Sequence, residues 1–216
     1  MAGWSTSMKG SATRLGVGSR LAANTGAAFP AVKYVDVFTN PDILITTNAD
    51  SKFVTTVAAA AGITALTIVA AEEAKLRSVG ARSLAICSDG AQTEKITVTG
   101  TDQFGTAQTE DITFNGAAVV KGTKVWGSVS SISQAARSGA ANISVGWGDI
   151  FGTSRRIIGL AVDGCVFTTS SGVATAVQET TRPLKSTTAS VHGVIFSTAI
   201  AATKTYVVRY ISDEVR

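Results

Sequence analysis

Beyond residue 33 the chain alternates apolar and polar side chains with a period of two, and long stretches at helical spacing are absent from the reading. That periodicity predicts strands. Residues 33–38 read as a short strand closed by the turn residues Asn40, Pro41 and Asp42, and residues 43–46 open another. Alanine content suggests a short helix over 54–61, while the alternating, β-branched run at 63–69 predicts a strand. From 75 to 132 strand-length runs recur between turn signals, at the spacing of an antiparallel sandwich or barrel.

The clearest unit is a hairpin. Ile96-Thr97-Val98-Thr99-Gly100-Thr101 places apolar and hydroxyl side chains on opposite faces, Asp102-Gln103-Phe104-Gly105 supplies turn chemistry, and residues 108–114 return with the same alternation. Gly105 is expected at positive φ. Asn115-Gly116 marks the next turn. Residues 124–132 read as a strand broken at Gly127, where a bulge or a close backbone approach is expected. A strand over 142–149 runs into a glycine-rich loop, with a hinge at 149–152, and further strands fall at 156–162, 165–169, 190–197 and 204–212. The sum is about a dozen short strands with almost no helix. The predicted fold is all-β: an antiparallel β-sandwich or jelly-roll-like body over 34–216, sub-divided near 149–153, behind an extended N-terminal arm over 1–33.

Composition changes the picture in two ways. Hydrophobic residues are 45% but aromatics only 6%, so the core must be built mainly from aliphatic side chains. Charge is unevenly placed. Lys9, Arg14, Arg20 and Lys33 have no acid among them, which suits either a solvated tail or an arm docking on an acidic neighbour. These four are the candidate partner-binding residues. Elsewhere the basic residues form no dense patch with aromatic neighbours, so direct contact with nucleic acid is not expected. No basic start with an apolar run marks a secretory signal, and no stretch offers the ~20 apolar residues of a membrane span.

Catalytic chemistry has little to build on. His192 is the single histidine and is expected on the solvent face of a strand; a Ser-His-Asp triad could use it, but any serine could then be nominated. The adjacent acids Glu72-Glu73, Glu110-Asp111 and Asp213-Glu214 point to opposite faces if on strands and read as surface groups. Asp149 lacks the spaced oxygen ligands of a calcium loop. Residues 100–105 lead into a hairpin return and not into a helix, which excludes a phosphate cradle. Arg155-Arg156 reads as a salt-bridged or interface pair. Trp4, Trp126 and Trp147 suit a core or an interface better than a sugar-stacking platform. Cys87 and Cys165 read as buried free thiols, with a disulfide between them left open. No catalytic residue, cofactor or metal is predicted.

The run from Ile96 to Gly105, followed by Thr109-Glu110-Asp111-Ile112-Thr113 and Gly122-Thr123-Lys124-Val125-Trp126-Gly127-Ser128-Val129, resembles a recurring pattern in virion proteins of tailed bacteriophages. There a strand ending V-T-G-T-D meets a glycine turn, a T-E-x-I return strand and a strand of K-x-F/W-x-x-V type. Residues 145–152 are similar to the glycine-rich loop that follows in that group, although Gly152-Thr153-Ser154 stands where Gly-Leu-Pro is usual. The resemblance covers 83–152. It implies a non-enzymatic particle component made in the host cytoplasm, most like a capsid decoration or cement protein on the capsid surface. The implied partners are the phage major capsid protein and further copies of the chain, as a dimer or trimer, without a membrane. Alternatives are a neck or tail protein (connector or fibre base), a carbohydrate-binding host-recognition module, and a glycan hydrolase.

Overall fold

The computed structural model describes residues 32–39, 41–47, 53–54, 64–136, 141–157, 159–169, 177–178, 184–185, 192–195, 200 and 204–212. In chain order these form β1 (Val32–Thr39), β2 (Thr64–Leu66), α1 (Ala70–Ser78), β3 (Arg82–Ser88), β4 (Lys95–Thr101), β5 (Ala107–Thr113), β6 (Val120–Lys121) and β7 (Ser128–Gln134). They continue with β8 (Ile143–Gly152), β9 (Gly159–Thr169), β10 (Val177–Gln178), β11 (Leu184–Lys185), β12 (Gly193–Ile195) and β13 (Lys204–Ser212). The fold is all-β with antiparallel pairing, as the alternation predicts, plus one helix among the described residues.

Three sheets organise the strands: β2-β7-β4-β5, β11-β12-β8-β3-β6 and β1-β13-β9-β10. The hairpin is as expected, with β4 and β5 paired from Lys95↔Thr113 to Thr101↔Ala107. Ile96 and Val98 of β4 face inward with Ile112 of β5, while Thr97, Thr99, Thr109 and Asp111 face outward. Gly105 has φ +85°, the positive value the turn requires. Gly127 is a close-approach glycine, because a Cβ there would run into the backbone of Asp102.

Every residue of β3 is buried, since both of its faces are covered. Leu84 and Ile86 join Ile96, Val98, Ile132, Val145 and Trp147 in the main core, whereas Ala85 and Cys87 pack with Ile45 on the opposite face. Cys87 is a free thiol. A second cluster gathers Phe38 of β1, Phe151 of β8, Val194 of β12, and Tyr206, Val208 and Tyr210 of β13.

Several expectations need correction. Residues 70–78 are helical. Against the expectation of almost no helix, this run holds strong helix formers, acids in the first turn (Glu72, Glu73) and bases in the last (Lys75, Arg77) that suit the helix dipole. The glycine-rich loop at 145–152 and the hinge at 149–152 are instead parts of the ten-residue strand β8. Its glycines fit because β8 lies against β3, where a Cβ on Gly148 would collide with Ser83. Residues 43–46 form no strand, yet the Ile45 N–H donates to the Trp147 carbonyl at 3.0 Å along the edge of β8. The helix suggested over 54–61 lies outside the described residues apart from Val54, which makes a bridge to Ile68. β1 begins at Val32, so Lys33 belongs to a strand paired with β13.

Candidate functional site

The second sheet ends where β1, α1 and the chain after β8 converge, and there an open groove of about 350 Å³ forms. One wall is β1 through Asp36, Val37 and Phe38; the other is Leu76 and Arg77 of α1 with residues 79–81, and Thr153 and Ser154 close one end. Its size falls in the range of ligand clefts. Val37 is the most exposed large apolar side chain described, at 54%.

A polar tether fixes the β1 wall. The Ser154 hydroxyl donates to Asp36 Oδ1 at 2.6 Å and its N–H donates to Oδ2 at 2.7 Å, so one carboxylate holds both donors of one residue. The Tyr210 hydroxyl lies 3.0 Å from Ser154 Oγ, and Tyr34 stacks on Tyr210 with ring centres 5.9 Å apart. Burial, reinforced by the charge of Asp36, raises the Tyr210 phenol above its usual range. Arg155 lies over the Tyr34 ring at 5.6 Å, a cation–π contact.

Behind the groove a buried arginine joins the two cores. Arg82 is 3% exposed, with its guanidinium over the Trp147 ring at 5.5 Å and the Phe151 ring at 4.6 Å. Nε donates to the Gly148 carbonyl at 2.8 Å and Nη1 to the Asp42 carbonyl, while Nη2 is buried without a partner. Burial pulls its pKa down to about 9, against the opposing charges of Asp42 and Asp149, so it remains a cation at neutral pH. Nearby, burial works against the charge of Lys75, but hydrogen bonds to Asp42 and Glu72 outweigh it and raise its pKa. No pattern in the sequence distinguishes Arg82 from a surface arginine.

The residues singled out from sequence fall as follows. Lys9, Arg14 and Arg20 lie outside the described residues, and of Lys33 only the backbone position in β1 is described. His192 is not on the open face of a strand: it precedes β12, half-buried, with its ring edge-on to Phe104. Its Nδ1 accepts the Ile157 N–H at 3.1 Å. A triad histidine uses that nitrogen as a donor to a carboxylate, so this arrangement is the wrong tautomer for the role. Its carbonyl accepts from Gln103 Nε2 and from the N–H and hydroxyl of Thr153, which makes it a loop clamp.

Glu72 and Glu73 sit on a helix, where Glu73 pairs with Arg77 and Glu72 accepts from Lys75 and from Trp147 Nε1. Glu110 is not a surface acid. It points inward at 6% exposure, and its Oε1 receives the N–H and hydroxyl of Thr123 and the N–H of Lys124. Asp111, its neighbour, faces out to Lys95 and Thr97. Trp126 and Trp147 are both core side chains and offer no open face to a sugar. Asp149 pairs with Lys121. Among the described residues no group of three or more His, Cys, Asp or Glu could hold a metal ion, and no helix is long and apolar enough to cross a membrane.

Comparison with protein-family models, curated proteins and solved structures found no match to this chain. The site therefore has to be read from its own chemistry. The groove mixes apolar side chains such as Val37 and Val79 with the polar Gln103, Thr153 and Ser154 and two charged groups, Asp36 held by Ser154 and Arg77 paired with Glu73.

Proposed function

We propose that this chain is a structural protein of a tailed-bacteriophage particle, a capsid decoration protein that stabilises the head by bridging capsid subunits. The observation that carries the reading is the resemblance at 96–129. Residues 96–105 cover β4 and the turn after it, 109–113 lie on β5, and 122–129 lead into the start of β7, which neighbours β4 in the same sheet. The charge distribution supports it. All of the net charge of +4 resides in residues 1–33, because the 15 acidic residues of the chain lie beyond them and are matched there by as many basic ones. A balanced body with a cationic arm fits attachment to an acidic protein lattice, where many modest interfaces act together.

The test is sedimentation of the purified protein with empty capsid shells of the source phage, read as copies bound per shell. Saturation at a number matching lattice positions is the expected result. Absence of binding would overturn the decoration role and direct the search to neck and tail components, then to glycans. Deleting residues 2–30 is expected to leave a folded body with lower shell occupancy; unchanged occupancy would remove the arm from the mechanism.

A further inference from the structure

Arg82 of β3 is buried at 3% exposure, yet the protein serves only part of its guanidinium. Nε and Nη1 donate to the carbonyls of Gly148 and Asp42, and the Trp147 and Phe151 rings lie against the group, while Nη2 has no protein partner. A buried charged donor left unbonded is costly, so native folds satisfy such groups with protein or with ordered water. Arg82 also borders a recess of about 10 Å³, which it shares with Asp42, Lys75, Val79, Gly80 and the same two rings. The two observations are independent, one an unspent donor and the other a space that its side chain lines.

Room of this size, on the order of 10–15 Å³, takes one water molecule. The chemistry of the walls narrows the guest in the same direction. Lys75 Nζ gives two of its three protons to Asp42 Oδ2 at 2.7 Å and Glu72 Oε1 at 2.8 Å, and Asp42 keeps Oδ1 as a further acceptor. The cations Lys75 and Arg82 are balanced there by the carboxylates of Asp42 and Glu72. Asp149, whose charge also reaches Arg82, has its own partner in Lys121. A cation in the recess would meet Arg82 and Lys75, an anion would meet Asp42, and an apolar guest would leave Nη2 unserved. A neutral molecule that both accepts and donates suits all three groups. We infer that the recess binds a single ordered water, which accepts from Arg82 Nη2 and from Lys75 and donates to Asp42. The bridge joins β3 to α1 and to the segment 41–47. Val79 and Gly80 line the groove as well as the recess, so the water braces the α1 wall of the groove from behind.

Magnetic relaxation dispersion of the water oxygen signal tests it on the full chain, because that measurement counts waters held for longer than the protein takes to tumble. Two variants are compared with the native chain. Arg82→Met removes the buried donor. Lys75→Met removes the second donor at a side chain that is 34% exposed, so the comparison survives if the first variant does not fold. Each variant that circular dichroism shows to be folded should hold one long-lived water fewer than the native chain. An unchanged count in either folded variant would overturn the inference. The nitrogen NMR signal of Arg82 Nε separates water from a small anion. It should stay in place as chloride or inorganic phosphate is added to the native chain; a saturating shift would mean that the recess takes an anion, and the water would be ruled out.

Discussion

The two core clusters are built on different principles. The main one is a broad, mostly aliphatic interior with Trp126 and Trp147, supplied largely by strands β3 to β8, of which β4 and β5 turn side chains inward by plain alternation while β3 and β8 are buried on both faces. The second is small and aromatic. Phe38, Phe151, Tyr206 and Tyr210 come from distant parts of the chain and are aligned by ring contacts and by the Asp36–Ser154–Tyr210 tether. Apolar area stabilises the first with little dependence on geometry, whereas the second depends on a few directional contacts, each of modest net value. Strand β8 feeds both, with Trp147 in one and Phe151 in the other, and Arg82 stands between those two rings.

The contrast can be broken at graded cost. Trp126→Ala should be the most damaging change, destabilising by about 3–5 kcal/mol in denaturant titration, because the side chain is fully buried in the main core. Arg82→Met keeps much of the volume between the rings but leaves the Gly148 and Asp42 carbonyls without their donor. It should cost about 2–3 kcal/mol, and near-native stability would show that the guanidinium does not join the clusters. Asp36→Ala should cost about 1–2 kcal/mol and raise hydrogen exchange in β1 and 153–157 while leaving β4 and β5 protected. Uniform loss of protection would mean that the two clusters unfold as one.

Gly105→Val should cost roughly 1–2 kcal/mol, since the turn sits at φ +85° with open space around it and the penalty is backbone strain alone. Equal thermal midpoints would count against that conformation. The smallest effect belongs to the exposed Asp111. Its hydrogen bonds from Lys95 and Thr97 hold the carboxyl below its usual pKa, so its contribution is present above the unfolded carboxyl pKa and lost as the pH falls through the lower folded value. Asp111→Asn should flatten the acid limb of a plot of midpoint against pH, with the neutral limb little changed.

The sequence made the β4–β5 hairpin plain because period-two alternation, a glycine turn and hydroxyl-rich outer positions all agreed, and β13 was readable to its ends from its run of β-branched and aromatic residues. Where one of these signals is missing the reading failed. β8 is buried almost throughout, so it shows no alternation, and its glycines imitate a loop. Helix α1 is shorter than three full turns, and its apolar content is mostly alanine, so helical spacing barely registers against the neighbouring β-branched residues. The groove was illegible because its walls lie far apart in the chain, and Glu110 and Arg82 were illegible because burial of a charge depends on partners that only the fold brings near.

The pairing of β1 with β13 also sets an order of events during synthesis. Thr39 meets Thr205 and Val32 meets Ser212, so β1 emerges from the ribosome long before its partner exists, while 82–152 already contains most of the main core. Such a long loop makes this pairing slow and late. A strand edge that is held in place only once the distal strand has docked is withheld from truncated or half-made chains, so its presence marks a chain that has been finished.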